Sequence, residues 1–213
     1  MLDPNPTTVW KHMSHKFWHH TLVTISAAAT LGLALPSAGQ PAPRPTGSSY
    51  VEAIRWYQDA AAAGNARAQF LLAIKYEAGL DAPQDLAAAR TWYARAAEQN
   101  HPLAQFKLAL MMERGLGGQA DPAGAVSWYE AAAQVGLAPA QYNLAVAYLN
   151  GAGATRDRVR AFAWLALAER AGVEPAAALR TRLEVDLPPE ELNSAKALAK
   201  EYADTVPAAP TPY

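Results

Sequence analysis

The chain has no cysteine. Disulfides, thiolate metal sites and lipid attachment at a cysteine are therefore excluded for it. It also has almost no charge imbalance, with 18 basic residues against 19 acidic ones and a formal net charge of −1. That leaves no electrostatic footprint for nucleic acid, and nucleic acid is not among the expected partners. Phosphate loops, dinucleotide fingerprints and metalloprotease helix motifs are missing as well. The glycine-rich run Gly115-Leu116-Gly117-Gly118 falls where a turn between helices is expected, not at a phosphate cradle. The longest uncharged apolar run is Thr21–Leu35, 15 residues, against the about 20 that a membrane-spanning helix requires.

What is present is a repeat. Of the 213 residues 51 % are hydrophobic, many of them alanine. Trp56-Tyr57 recurs as Trp92-Tyr93 and Trp128-Tyr129, each 36 residues on, with an altered copy at Trp164-Leu165. Further columns move in the same register. Ala60, Ala96, Ala132 and Ala168 form one, and Ala68-Gln69, Ala104-Gln105 and Ala140-Gln141 another. Leu72-Ala73, Leu108-Ala109 and Leu144-Ala145 follow, then Gly79, Gly115 and Gly151, then Asp85, Asp121 and Asp157. So many aligned columns mark a repeat architecture.

Each unit reads as two helices. Over 66–78, Phe70, Leu72, Ala73, Ile74 and Tyr76 have helical periodicity. Gly79 ends that helix by accepting a left-handed conformation. Asp85 starts the second, where an acid suits the positive helix end. Its apolar stripe is Ala89, Trp92, Tyr93, Ala96 and Ala97. Asn100 stands where the other copies have glycine and tolerates the same left-handed geometry. Large rings packed over alanines let the helices approach closely, and such pairs bury their faces only by stacking into a solenoid. Trp56, Trp92 and Trp128 are accordingly expected to be buried.

These columns resemble the Sel-one-like repeat (SLR), a tetratricopeptide-type helix–turn–helix module, over about residues 50–185. The resemblance implies an all-α fold, a right-handed α-solenoid of 36-residue repeats. Asp81 departs from it, since later copies have Gly117 and Gly153. The fourth unit also departs, losing the Ala-Gln and Leu-Ala columns beyond Gly172, as a terminal repeat does.

Outside the repeats, residues 1–39 read as a secretory signal: Lys11 and Lys16, the apolar run, Pro36, then Ser37, Ala38 and Gly39. The expected location is periplasmic or secreted, with anchoring in a membrane if the segment is not cleaved. Met13 is an alternative start. His12, His15, His19 and His20 lie in this segment without the partners of a metal site. Residues 40–49 are a Pro-rich linker and 49–63 a half-unit serving as N-terminal cap. Residues 174–185 form the last first-type helix, with Ala176, Leu179 and Leu183 on one face. Residues 189–203 form a capping helix with the stripe Leu192, Ala195, Leu198, Ala199 and Tyr202. Residues 204–213 are a flexible tail without core residues.

Catalysis finds no support. His101, the only histidine beyond residue 20, reads as a surface turn residue. Asp85, Asp121 and Asp157 are spread along the stack, whereas a catalytic carboxylate pair converges on one bond. Ser127 and Ser194 are remote from any histidine, so an SLR-type hydrolase lacks its nucleophile–base pair. The expectation is a protein without enzymatic activity, cofactor or metal.

By resemblance to tetratricopeptide solenoids, the first helix of each unit lines the concave face. The inward columns are then Phe70, Phe106 and Tyr142, beside Ile74, Leu110 and Val146. Arg67, Glu77, Glu113, Arg114 and Asn150 surround them. An aromatic column beside an aliphatic one, rimmed by charge, suits a protein or peptide partner; the same columns also suit filling the stack between repeats. A second reading is a cell-wall or glycan-binding envelope protein, since Trp and Tyr rings stack on sugars.

Overall fold

A computed structural model describes residues 50–80 and 83–207, with side chains from residue 55 onward. The signal-like segment 1–39, the linker 40–49, Asp81 and residues 208–213 of the expected tail lie outside the described residues. The described residues form helices α1 (Tyr50–Ala62), α2 (Ala66–Ala78), α3 (Leu86–Glu98), α4 (Pro102–Arg114), α5 (Pro122–Gln134), α6 (Ala138–Asn150), α7 (Arg158–Arg170), α8 (Glu174–Asp186) and α9 (Pro189–Thr205), with no strand among them. The fold is an all-α solenoid.

The recurring columns explain where each helix begins and ends. Asp85, Asp121 and Asp157 cap α3, α5 and α7: each carboxylate accepts from the backbone N–H three residues on, at 2.9 Å. Such a cap is worth about 1 kcal/mol. Each of these aspartates also donates its own N–H back to the carbonyl of Tyr76, Met112 or Tyr148, at 2.8–3.0 Å, closing the turn inside the unit. Gly79, Gly115 and Gly151 end α2, α4 and α6 at φ 67–68°. Asn100 adopts φ 60°, as its column requires.

Two further columns join one unit to the next. The backbone N–H of Asn65, His101, Leu137 and Val173 bonds to the carbonyl of Ala60, Ala96, Ala132 and Ala168. The buried glutamines do the same from the side. Gln69, Gln105 and Gln141 donate from Nε2 to the carbonyls of Ala61, Ala97 and Ala133 at 3.1–3.3 Å. The Ala-Gln motif is thus a clamp: a small residue for close approach, then an amide that ties the helix to the end of the preceding unit.

From α1 to α8 each helix packs on its neighbours in sequence, and α9 folds back past α8 onto α7. The core is rich in alanines, most at 0–1 % exposure, and its largest fully enclosed side chains include Tyr93, Tyr129, Leu144 and Leu165. The tryptophans differ from expectation. Trp56, Trp92 and Trp128 are half-buried, whereas Tyr93 and Tyr129 are fully enclosed. Adjacent residues point about 100° apart on a helix, so the tyrosine enters the seam and the tryptophan lies at its edge. Among the described tryptophans only Trp164 is buried, because α9 lays Tyr202 against it at 4.5 Å between ring centroids. The end of the chain also differs: α9 continues to Thr205 and Val206 packs on the core, so 204–206 belong to the cap.

Candidate functional site

Helices α2, α4 and α6 open successive units and carry the residues singled out above. Their midsections are occupied by the fold itself. Phe70 packs on Tyr93 with ring centroids 5.8 Å apart, and Phe106 on Tyr129 at 6.0 Å. Ile74, Leu110 and Tyr142 are half-buried against the core, and Val146 is half-buried. These columns therefore serve the stack and offer only part of each side chain outward.

The acids of this row are engaged as well. Tyr93 donates its hydroxyl to Glu77 at 2.5 Å, and Tyr129 donates to Glu113 at 2.8 Å. Lys107 reaches both oxygens of Glu77 at 3.1 Å. Asn143, one unit later in that column, donates to the Tyr129 hydroxyl at 3.4 Å. Burial pushes both tyrosine hydroxyls well above their ordinary pKa, and the neighbouring carboxylate adds to the shift. The pairing is visible in the sequence: where the next unit replaces Tyr with Leu165, it replaces Glu with Leu149. Neither Glu77 nor Glu113 is a free charge awaiting a partner.

The ends of the helices differ from their middles. Arg114 and Asn150 are exposed at the C-terminal ends of α4 and α6, apart from Arg67 and Phe70 near the start of α2. Between the N-terminal ends of α2 and α4 lies a cleft of about 540 Å³, lined by Arg67, Phe70, Leu71, Gln99, His101 and Leu103 among others. Arg67 is exposed, and Leu103 is among the exposed large apolar residues of the described chain. His101 is not a surface turn residue. It is half-buried, stacked on Phe70 at 4.6 Å, and its Nδ1 accepts from the Ala104 N–H at 3.3 Å as the cap of α4. Burial lowers its pKa, and the nearby Arg67 adds to that. Leu71, Gln99 and Leu103 were not foreseen from the sequence; their signal was a departure from the repeat, since Leu103 stands in the column of Arg67, Pro139 and Pro175.

The cleft is suited to holding an apolar side chain beside a negative group, and it contains no nucleophile–base pair. Among the described residues no group of three or more His, Asp or Glu is placed to hold a metal ion. No helix among them is long and apolar enough to cross a membrane.

The Sel1 repeat model matches four consecutive stretches, residues 27–65, 66–101, 102–137 and 138–173. The second, third and fourth begin where α2, α4 and α6 begin; the first reaches back into the apolar run of the N-terminal segment. Two solved structures are similar. One is a protective antigen of uropathogenic Escherichia coli displaying an SLR fold: 30 % identity, TM-score 0.67, 74 % of this chain and 34 % of that one covered. The other is a Sel1 repeat protein from Oxalobacter formigenes: 30 % identity, TM-score 0.60, 72 % of this chain and 64 % of that one. The chain thus spans about a third of the first and just under two thirds of the second. No curated protein matches it.

Proposed function

The chain belongs to the Sel1 repeat family, whose members generally mediate protein–protein interaction, and we propose that it is a non-catalytic periplasmic or secreted adaptor that binds a protein or peptide along α2, α4 and α6. The observation that carries this reading is the cleft between α2 and α4. There Arg67 and Leu103 remain exposed beside Phe70, while the acids farther along are consumed by Tyr93, Tyr129 and Lys107. The mechanism is a preformed surface. Its helices are fixed by the stack before a partner arrives, so little ordering cost falls on binding.

The test is capture from envelope extract with the full chain as bait, beside a bait carrying Arg67→Glu and Leu103→Asp. Both positions are exposed enough to change without opening the core. Phe106→Glu is a poorer probe, because Phe106 packs on Tyr129. A partner retained by the first bait and lost from the second supports the reading; equal retention by both refutes the site. Periplasmic or secreted location rests on the signal-like segment, and detection of the cell-expressed protein only in its unprocessed form in the cytoplasm would refute it.

The half-exposure of Trp56, Trp92 and Trp128 favours one further reading, binding to cell-wall glycan. Trp92 already has the Arg95 guanidinium over its ring at 4.4 Å, so that face is taken. Titration with muropeptides decides: a saturable change in tryptophan fluorescence supports the glycan reading, and none removes it.

A further inference from the structure

In a repeat protein, residues that the fold needs recur in their column. Polar residues that break their columns and meet in space are set there by something local. One such group lies where α9 folds back on α7. Glu130 stands in a column with Gln58, Ala94 and Ala166, and Arg160 in a column with Glu52, Ala88 and Gly124, so neither charge recurs. They meet at Tyr148, whose hydroxyl donates to Glu130 Oε1 at 2.5 Å and accepts from Arg160 at 3.4 Å.

This group lines a cleft of about 520 Å³ together with Trp164, Glu201 and Tyr202. Three aromatic rings border one space, the buried Tyr148 and Trp164 by their edges and the half-buried Tyr202 by more of its ring. Tyr202 and Trp164 pack at 4.5 Å, and the Arg160 guanidinium lies 5.6 Å from the centroid of Tyr148. A cation thus already rests on one of these rings, as the negative face of an aromatic ring favours. The charge around the cleft is acidic. Glu130 and Glu201 line it, and Asp157, at 3.3 Å from Arg160, offsets that arginine. Among the described residues Glu201 forms no ion pair, and Glu130 has its second oxygen unused.

We propose that this cleft binds the basic side chain, lysine or arginine, of a protein partner, with the half-buried Tyr202 ring as its wall, the edges of Tyr148 and Trp164 as its floor, and Glu130 and Glu201 as counter-charges. The aromatic faces and the carboxylates act in the same sense, both favouring a positive group and disfavouring an anion. Arg160, over the Tyr148 ring, is an internal competitor for the same cleft. The site is separate from the cleft between α2 and α4, and Arg67→Glu leaves it intact.

The probe is a blocked peptide with two central lysines, compared with the same peptide carrying norleucine or glutamate there. Binding to the full chain is followed by NMR, through the Trp164 indole and the Tyr148 and Tyr202 rings. The lysine peptide is expected to bind best, with shifts confined to α5, α7 and α9. Glu130→Gln together with Glu201→Gln is expected to weaken it about fivefold. Glutamine at 130 still accepts the Tyr148 hydroxyl, so the fold is kept. Arg160→Ala is expected to tighten binding by removing the internal cation. The proposal is overturned if no peptide binds or the norleucine or glutamate peptide binds as well. It is equally overturned if the shifts lie elsewhere, the double substitution leaves affinity unchanged, or Arg160→Ala abolishes binding.

Discussion

Gly117→Ala is expected to cost far more than a glycine in the same backbone region normally does. Gly117 has φ +70°, and a Cβ built on it would lie well inside contact distance of the Leu86 carbonyl oxygen, at the start of α3. Gly172 has φ +87° with nothing within 4 Å of the equivalent Cβ. Both alanines bear the left-handed penalty of about 1–2 kcal/mol, and both gain the same small benefit from a stiffer unfolded chain. The difference between them isolates the clash. Gly117 sits in the turn of one unit, seated on the first residue of the previous unit's second helix. Restoring an ordinary carbon–oxygen separation of about 3.3 Å requires the turn to retreat by about 1 Å. Overpacking of that kind costs about 1–3 kcal/mol. Urea unfolding of the two variants, followed by circular dichroism and fluorescence, measures the difference directly. Gly153→Ala should match Gly117→Ala, because its Cβ meets the Pro122 carbonyl in the same way. Equal costs for Gly117→Ala and Gly172→Ala would refute the seating of each turn on the preceding unit.

Three other outcomes follow from the same structure. Tyr93→Ala should lower stability by about 3–5 kcal/mol because the enclosed ring leaves a cavity, and half-buried Trp92→Ala should cost less, about 1–3 kcal/mol; thermal denaturation of the two variants checks the order. Tyr93 and Tyr129 have raised pKa values in the folded state, so the stability they hold is intact below the ordinary tyrosine pKa of about 10 and is lost as pH rises above it; the double variant Tyr93→Phe, Tyr129→Phe should flatten that alkaline decline in a pH series of unfolding curves. The lowered pKa of His101 gives the opposite sign, with its contribution present above about pH 6.5 and lost as pH falls and protonation takes the Nδ1 lone pair from the Ala104 N–H; His101→Asn, which caps without titrating, should remove the acid-side slope.

The fold was legible because each column does one physical job and does it again 36 residues later. Helix limits followed from Asp85 and Gly79, which act within their own turn and need no knowledge of the rest. The half-burial of the tryptophans was not legible: it depends on whether another helix covers that side, and only α9 over Trp164 does. The engagement of Glu77 and Glu113 was hidden for the same reason, since Tyr93 and Tyr129 approach them across helices. The joint replacement of Tyr and Glu by Leu165 and Leu149 was the available clue. His101 misled because its position before Pro102 marks a turn, while its stacking on Phe70 is a contact between units. Column departures at Leu103, Glu130 and Arg160 carried more information about local surfaces than the shared columns did.

The proposed adaptor function requires a partner to engage the exposed ends of α2 and α4. Its most direct test is photocrosslinking in cells, with a photoreactive residue replacing Leu103 in one chain and Val185, 80 % exposed on α8, in another. Protein adducts from position 103, absent at 185 and lost when Arg67→Glu is added, are the predicted result. Adducts from 185 alone, or equal adducts from both positions, would contradict it.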